Sequence, residues 1–128
     1  MVNINRVFLS GRLVAPAQLS HTQSGVSFVR FRIAVNNPYR DKDGNWQERT
    51  AFVNVVLWGE RANRLVEKLD KGAGVYVEGE LVQRDWEDEN GNKRSTLEVR
   101  ANRVALFRSS KKAEEPEEID EEIDDVEV

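Results

Sequence analysis

Between Ser27 and Asn36 the chain reads SFVRFRIAVN, an unbroken period of two with Val29, Phe31, Ile33 and Val35 on one side. A helical period of 3.6 would scatter these four side chains, whereas a strand sends every second residue to one face. The other face carries Arg30 and Arg32, which would be costly to bury unpaired, so the apolar set must point inward. The segment is predicted to be a strand with one buried and one solvated face, and it needs further strands beside it.

The rest of the chain supplies them. Asn5 to Leu13 (NRVFLSGRL) has strand composition interrupted by Gly11, as where a barrel strand bends sharply. Pro16 to Gly25 reads as a turn-rich connection. Asp41 to Asn45 (DKDGN) is a turn signal, and Thr50 to Trp58 (TAFVNVVLW) follows as a third strand. Residues 60–71 then change period: Ala62, Leu65, Val66 and Leu69 fall on one helical face, with Gly72 placed to stop the helix. Val75 to Trp86 and Lys93 to Phe107 are predicted as two more strands joined through Glu87 to Asn92, where Asn90-Gly91 marks a turn. The order β-β-β-α-β-β predicts an all-β fold, the five-stranded Greek-key oligonucleotide-binding (OB) barrel with one short helix between strands 3 and 4. Pattern alone leaves other small β folds open.

A chain of 128 residues can bury one modest core, so a single domain is expected. Charge divides the chain after Arg108. Residues 1–108 carry 17 Lys and Arg against 13 Asp and Glu, a surplus of +4, while residues 109–128 hold 2 lysines against 10 acids, or −8. The prediction is a basic domain over 1–108, suited to a polyanionic partner, and a flexible, disordered acidic tail over 109–128 with too little apolar bulk to offset ordering. Cysteine is absent and His21 is the single histidine, which excludes disulfides, thiolate sites and a zinc centre. No stretch approaches the about 20 apolar residues of a spanning helix, so no membrane partner is expected and the location implied is cytoplasmic.

Catalysis is not expected either. Asp41-x-Asp43-x-Asn45 resembles the start of a calcium loop, but Trp46 stands where the loop needs glycine. Asp85, Glu87, Asp88 and Glu89 share one loop without converging partners, which argues for a solvated hairpin over a metal-dependent nuclease centre. With no phosphate-cradling loop and no Ser-His-Asp set, the chain is read as non-enzymatic, without cofactor or metal.

The third strand points to a binding face. Alternation sorts it into Ala51, Val53, Val55 and Leu57 against Thr50, Phe52, Asn54, Val56 and Trp58. If the purely apolar set faces the core, Phe52 and Trp58 stand outside, next to Arg30 and Arg32 of the preceding strand. Tyr39, Trp46 and Trp86 add rings in or near hairpins, Trp86 beside Arg84. Rings and arginines on one surface suit single-stranded nucleic acid: stacking tolerates any base and arginines neutralise phosphates. Duplex DNA, whose bases are already stacked and read at their edges, suits such a face poorly. Rings that fold over the barrel end or sit in a subunit contact are the plainer explanation, heaviest for Trp46.

Several motifs bear a family resemblance that spans nearly the whole chain. Asn5 to Leu13 is similar to the opening strand of bacterial single-stranded DNA-binding proteins. Tyr39-Arg40-Asp41 resembles their aromatic-Arg-Asp hairpin, Thr50-Ala51-Phe52 their third-strand entry, and Val55-Val56-Leu57-Trp58-Gly59 its exit. Lys71-Gly72 to Val77-Glu78-Gly79 resembles their KG…V-x-V-E-G segment, and Arg84-Asp85-Trp86 their basic-aromatic hairpin. The resemblance implies that Tyr39, Phe52, Trp58 and Trp86 stack bases, with Arg30, Arg32 and Arg84 supporting the backbone. It also implies a homotetramer and service in replication, recombination and repair. A partner-binding tip would be Asp124, Asp125, Val126, Glu127 and Val128, although the family's usual terminal Pro-Phe is missing. The alternatives are a replication-accessory barrel that mainly contacts proteins and an RNA-binding barrel.

Overall fold

The computed structural model describes residues 1–107. The boundary expected after Arg108 and the tip Asp124, Asp125, Val126, Glu127 and Val128 lie outside the described residues. In chain order the elements are β1 (Val7–Leu13), β2 (Gln18–His21), β3 (Ser27–Arg40), β4 (Trp46–Trp58), α1 (Glu60–Leu65) with a 3-10 turn at Val66–Lys68, β5 (Gly74–Glu87) and β6 (Lys93–Phe107).

Two long hairpins form the body. β3 and β4 pair from Phe28↔Trp58 to Arg40↔Trp46, and β5 and β6 from Gly74↔Phe107 to Glu87↔Lys93, with a register shift between Glu78 and Gly79. β1 joins them, pairing antiparallel with β5 and, at its end, with β3 through Arg12↔Ala34 and Leu13↔Ile33. A parallel contact between β4 and β6 at Val55↔Val99 and Val56↔Arg100 completes the ring β1-β5-β6-β4-β3-β1, the closed five-stranded OB barrel. Gly11 lets β1 serve both neighbours. A Cβ there would collide with the Ala34 carbonyl oxygen and lie 3.1 Å from its carbon and 3.3 Å from Val35 Cγ2.

The apolar face read from alternation forms the core: Val29, Phe31 and Ile33 of β3 are buried with Val55 and Leu57 of β4 and Val75 and Val77 of β5. Ala62 and Leu65 of α1 and Leu69 beyond it pack into the same cluster.

Four expectations need correction. The connection Pro16 to Gly25 contains β2, paired with β3 from Gln18↔Arg30 to His21↔Ser27. All four of its residues are exposed, so backbone pairing forms it and no apolar pattern announces it. The helix stops well short of residue 71, because the chain leaves helical geometry at Leu69, whose carbonyl accepts the Ala17 N–H (2.9 Å). Gly72 instead donates to the Leu13 carbonyl (2.8 Å), within the turn that returns to the barrel. Ala51, assigned to the core, is exposed: β1 reaches β3 only as far as Ala34, and beyond it the β3–β4 hairpin runs on as a two-stranded arm. Val56, assigned to the solvated face, is on that side but only 1 % exposed, between Arg30 and Arg100 on the flanking strands.

Candidate nucleic-acid interface

Pairing register assembles the outer face of the barrel. Phe28, Arg30, Arg32 and Ala34 of β3 lie opposite Trp58, Val56, Asn54 and Phe52 of β4. Beyond β4 come Arg100, Glu98 and Thr96 of β6, the last two opposite Val82 and Arg84 of β5. Of the seven residues singled out from sequence, six, namely Phe52, Trp58, Trp86, Arg30, Arg32 and Arg84, belong to this four-stranded surface.

Tyr39 is placed differently. It is opposite Gln47 in the arm, and strict alternation along the regular β3–β4 ladder puts it on the other side of the ribbon from Phe52, with Trp46 and Arg40 on the Phe52 side. Both rings are exposed, since the arm stands clear of the barrel.

The rings are accessible, and most carry an arginine. Phe52 is 54 % exposed, Trp86 39 % and Trp58 36 %, unusual for large apolar side chains, which contribute most when buried. The Arg32 guanidinium lies 4.9 Å from the Phe52 ring centre, Arg84 5.5 Å from Trp86, Arg40 5.3 Å from Trp46 and Arg49 4.2 Å from Tyr39, all within cation–π range. Trp86 is also oriented by its indole N–H, which donates to Thr96 Oγ1 at 3.0 Å.

Two features escaped sequence reading. Phe28 packs on Trp58, ring centres 4.6 Å apart and planes tilted by 32°, with the Arg30 guanidinium 5.0 Å from the Phe28 ring centre. Its signal was available, because Phe28 shares the alternation of Arg30 and Arg32. Glu98 is 3 % exposed and accepts from both Arg30 (Nη2 to Oε2, 3.4 Å) and Arg84 (Nε to Oε1, 3.3 Å). This contact depends on inter-strand register, which no local pattern displays.

Both hairpin tips use one device. Asp41 Oδ1 accepts the backbone N–H of Asp43 and of Asn45 (2.9 Å each), and Asp88 Oδ1 accepts those of Asn90 and Asn92 (2.9 Å each). Gly44 and Gly91 supply the positive φ (83° and 82°) each turn needs. The second carboxylate oxygen takes Gln47 Nε2 (3.1 Å) in one turn and Arg94 Nε (3.0 Å) in the other. The Asn45 N–H, then Gln47, hold the Asp41 carboxyl below its ordinary value; the Asn92 N–H, then Arg94, do so for Asp88. Asp41 is thus spent on its own turn. Among the described residues no group of three or more His, Asp or Glu is gathered as a metal site, and no helix is long and apolar enough to cross a membrane.

The Single-strand binding protein family model matches residues 4–107. The "Single-stranded DNA-binding protein" of Treponema pallidum (strain Nichols) is 40 % identical over 109 residues, 85 % of this chain and 61 % of that protein. The "Single-stranded DNA-binding protein 2" of Chlorobaculum tepidum is 35 % identical over 119 residues, 92 % of this chain and 80 % of that one. Among solved structures, the single-stranded DNA binding protein from Thermus aquaticus (a deletion mutant carrying R190A) superposes with a TM-score of 0.74 at 31 % identity, over 83 % of this chain and 51 % of that one. A Plasmodium falciparum SSB complex with ssDNA superposes at 0.68 and 25 % identity, over 79 % of this chain and 89 % of that one. Barrel, outer face and matched span agree: this chain belongs to the Single-strand binding protein family.

Proposed function

We propose that this chain binds and protects single-stranded DNA without sequence preference, as a non-enzymatic protein of replication, recombination and repair. The observation that carries this reading is the set of exposed rings Phe52, Trp58 and Trp86 on one side of a closed barrel, Phe52 and Trp86 each with an arginine beside it. Phe52, Trp58 and Trp86 stack bases, and Arg30, Arg32 and Arg84 neutralise phosphates. Tyr39 stacks a base from the reverse side of the arm, which suits a strand wrapped around the protein's edge. The relatives are named for single-stranded DNA binding, and one superposed structure is a complex with it.

The chain acts as a homotetramer in the cytoplasm, at the nucleoid. Leu97 and Leu81 lie exposed on the face of the β5–β6 hairpin turned away from Trp86, and Phe8 on the outside of β1, surfaces that self-association would cover. The acidic segment 109–128, ending in Asp124, Asp125, Val126, Glu127 and Val128, recruits replication and repair proteins and competes with DNA for the basic face.

Titration of intrinsic tryptophan fluorescence with a thymidine homopolymer and, separately, with duplex DNA at low and high salt tests the proposal. Quenching by the single strand alone, weakening as salt rises, is the expected result. Equal response to both nucleic acids, or none, would favour a barrel that mainly contacts proteins. Stronger quenching by a uridine homopolymer would shift the ligand to RNA.

A further inference from the structure

One buried group on the outer face has no part in stacking or phosphate contact. Glu98 of β6 is almost wholly buried beneath that surface, and a carboxylate under a DNA-binding face repels its ligand. Its partners explain its presence. Oε1 lies 3.5 Å from Arg30 Nε and 3.3 Å from Arg84 Nε, and Oε2 3.4 Å from Arg30 Nη2. Arg30 belongs to β3 and Arg84 to β5, strands that do not pair with each other, so Glu98 links two sides of the face.

Each of these guanidiniums also lies near a ring. Arg30 is 5.0 Å from the centre of Phe28, which packs on Trp58 at 4.6 Å, and Arg84 is 5.5 Å from Trp86. An unbroken series of contacts therefore runs Trp58, Phe28, Arg30, Glu98, Arg84, Trp86. Two guanidiniums on one carboxylate leave one positive charge uncompensated, held at the surface where a phosphate can reach it. Long arginine side chains lose much rotamer freedom on ordering, and a strand finding them already placed avoids that cost.

We infer that Glu98 is a positioning residue for single-strand binding: it anchors Arg30 and Arg84 and so sets the Trp58 ring, through Arg30 and Phe28, and the Trp86 ring, through Arg84, as one unit. The inference rests on the function proposed above. Charge and positioning predict opposite signs for Glu98→Gln. Removing a negative charge from beneath the face should tighten DNA binding and steepen its salt dependence. Loss of the anchor should weaken it.

The test uses the full chain and a labelled thymidine oligonucleotide, read by anisotropy at several salt concentrations, with thermal melting to confirm folding. Glu98→Gln is expected to bind about ten-fold more weakly, with a salt slope no steeper than that of the unaltered chain. Lower stability alone would leave the affinity of the folded protein unchanged. Phe28→Leu breaks the series at a partly exposed ring without disturbing the buried carboxylate, and it decides the matter should Glu98→Gln fail to fold. It is expected to weaken binding about three-fold or more, the low end of a stacking contribution. Unchanged or tighter binding by a folded Glu98→Gln, or unchanged binding by Phe28→Leu, overturns the inference alone. Failure of the unaltered chain to bind single strands overturns the proposed function, and this inference with it.

Discussion

Replacing Trp58 or Trp86 by alanine separates ligand stacking from fold. A base stacked on an aromatic ring contributes about 1–3 kcal/mol, so each variant should bind thymidine oligonucleotide roughly 5- to 140-fold more weakly, at about 1.4 kcal/mol per decade. The structure bounds the accompanying loss of stability. Trp58 forfeits its packing on Phe28, an aromatic pair contributing about 0.5–1.5 kcal/mol. Trp86 forfeits the hydrogen bond to Thr96, about 0.5–1.5 kcal/mol. Both rings are over a third exposed, so little core burial is lost, and a domain stable by about 5–15 kcal/mol should remain folded. Each variant removes one of three tryptophans, so binding is better followed by anisotropy of a labelled oligonucleotide than by intrinsic quenching. Near-native melting with weakened binding is expected. Native affinity in both variants would refute the stacking assignment, whereas collapse of the fold would show that these rings belong to the core.

Gly11→Ala should destabilise the barrel by about 1–3 kcal/mol, since the new methyl group meets the Ala34 backbone where β1 closes onto β3; an unchanged melting temperature would contradict that closure. The lowered carboxyl values of Asp41 and Asp88 mean that both turns favour the ionised form. Their contribution is complete above the unfolded value, near 3.9, and is lost as pH falls through the lower folded values, so the amides of Asp43, Asn45, Asn90 and Asn92 should selectively lose protection against exchange, relative to their intrinsic rates, below about pH 4. Protection that persists through that range would show that the carboxylates do not hold the tips. Deleting residues 109–128 removes a net charge of −8 and should tighten single-strand binding at low salt, with the gain fading as salt rises; equal affinity of the two forms would end the competition reading.

The legible parts of this fold are those that local pattern encodes. Alternation located β3 and its inward set Val29, Phe31 and Ile33, and the change of period at residue 60 marked the helix that follows β4. Gly11 interrupts the pattern of β1 where the close approach of β3 leaves no room for a Cβ. What stayed hidden depends on partners distant in the chain. β2 has no buried residue, so pairing with β3 forms it. The exposure of Ala51 follows from where β1 stops along β3. Glu98 meets arginines 68 and 14 positions away, and in isolation the segment Thr96-Leu97-Glu98-Val99 reads as an ordinary amphipathic strand with its glutamate in water.

The same geometry bears on why such a face would bind without reading sequence. Arginines lie 4.2–5.5 Å from the rings of Phe28, Phe52, Trp46, Tyr39 and Trp86 before any ligand arrives. A ring has two faces, and a guanidinium against one side orients it while leaving the other to a base. The contact would also keep each cation near the phosphates of a strand whose base is seated on that ring. On the proposed reading, affinity would divide into a salt-dependent part carried by the arginines and a salt-resistant part carried by the rings. A change of base alters hydrogen-bonding edges, and neither part depends on those edges.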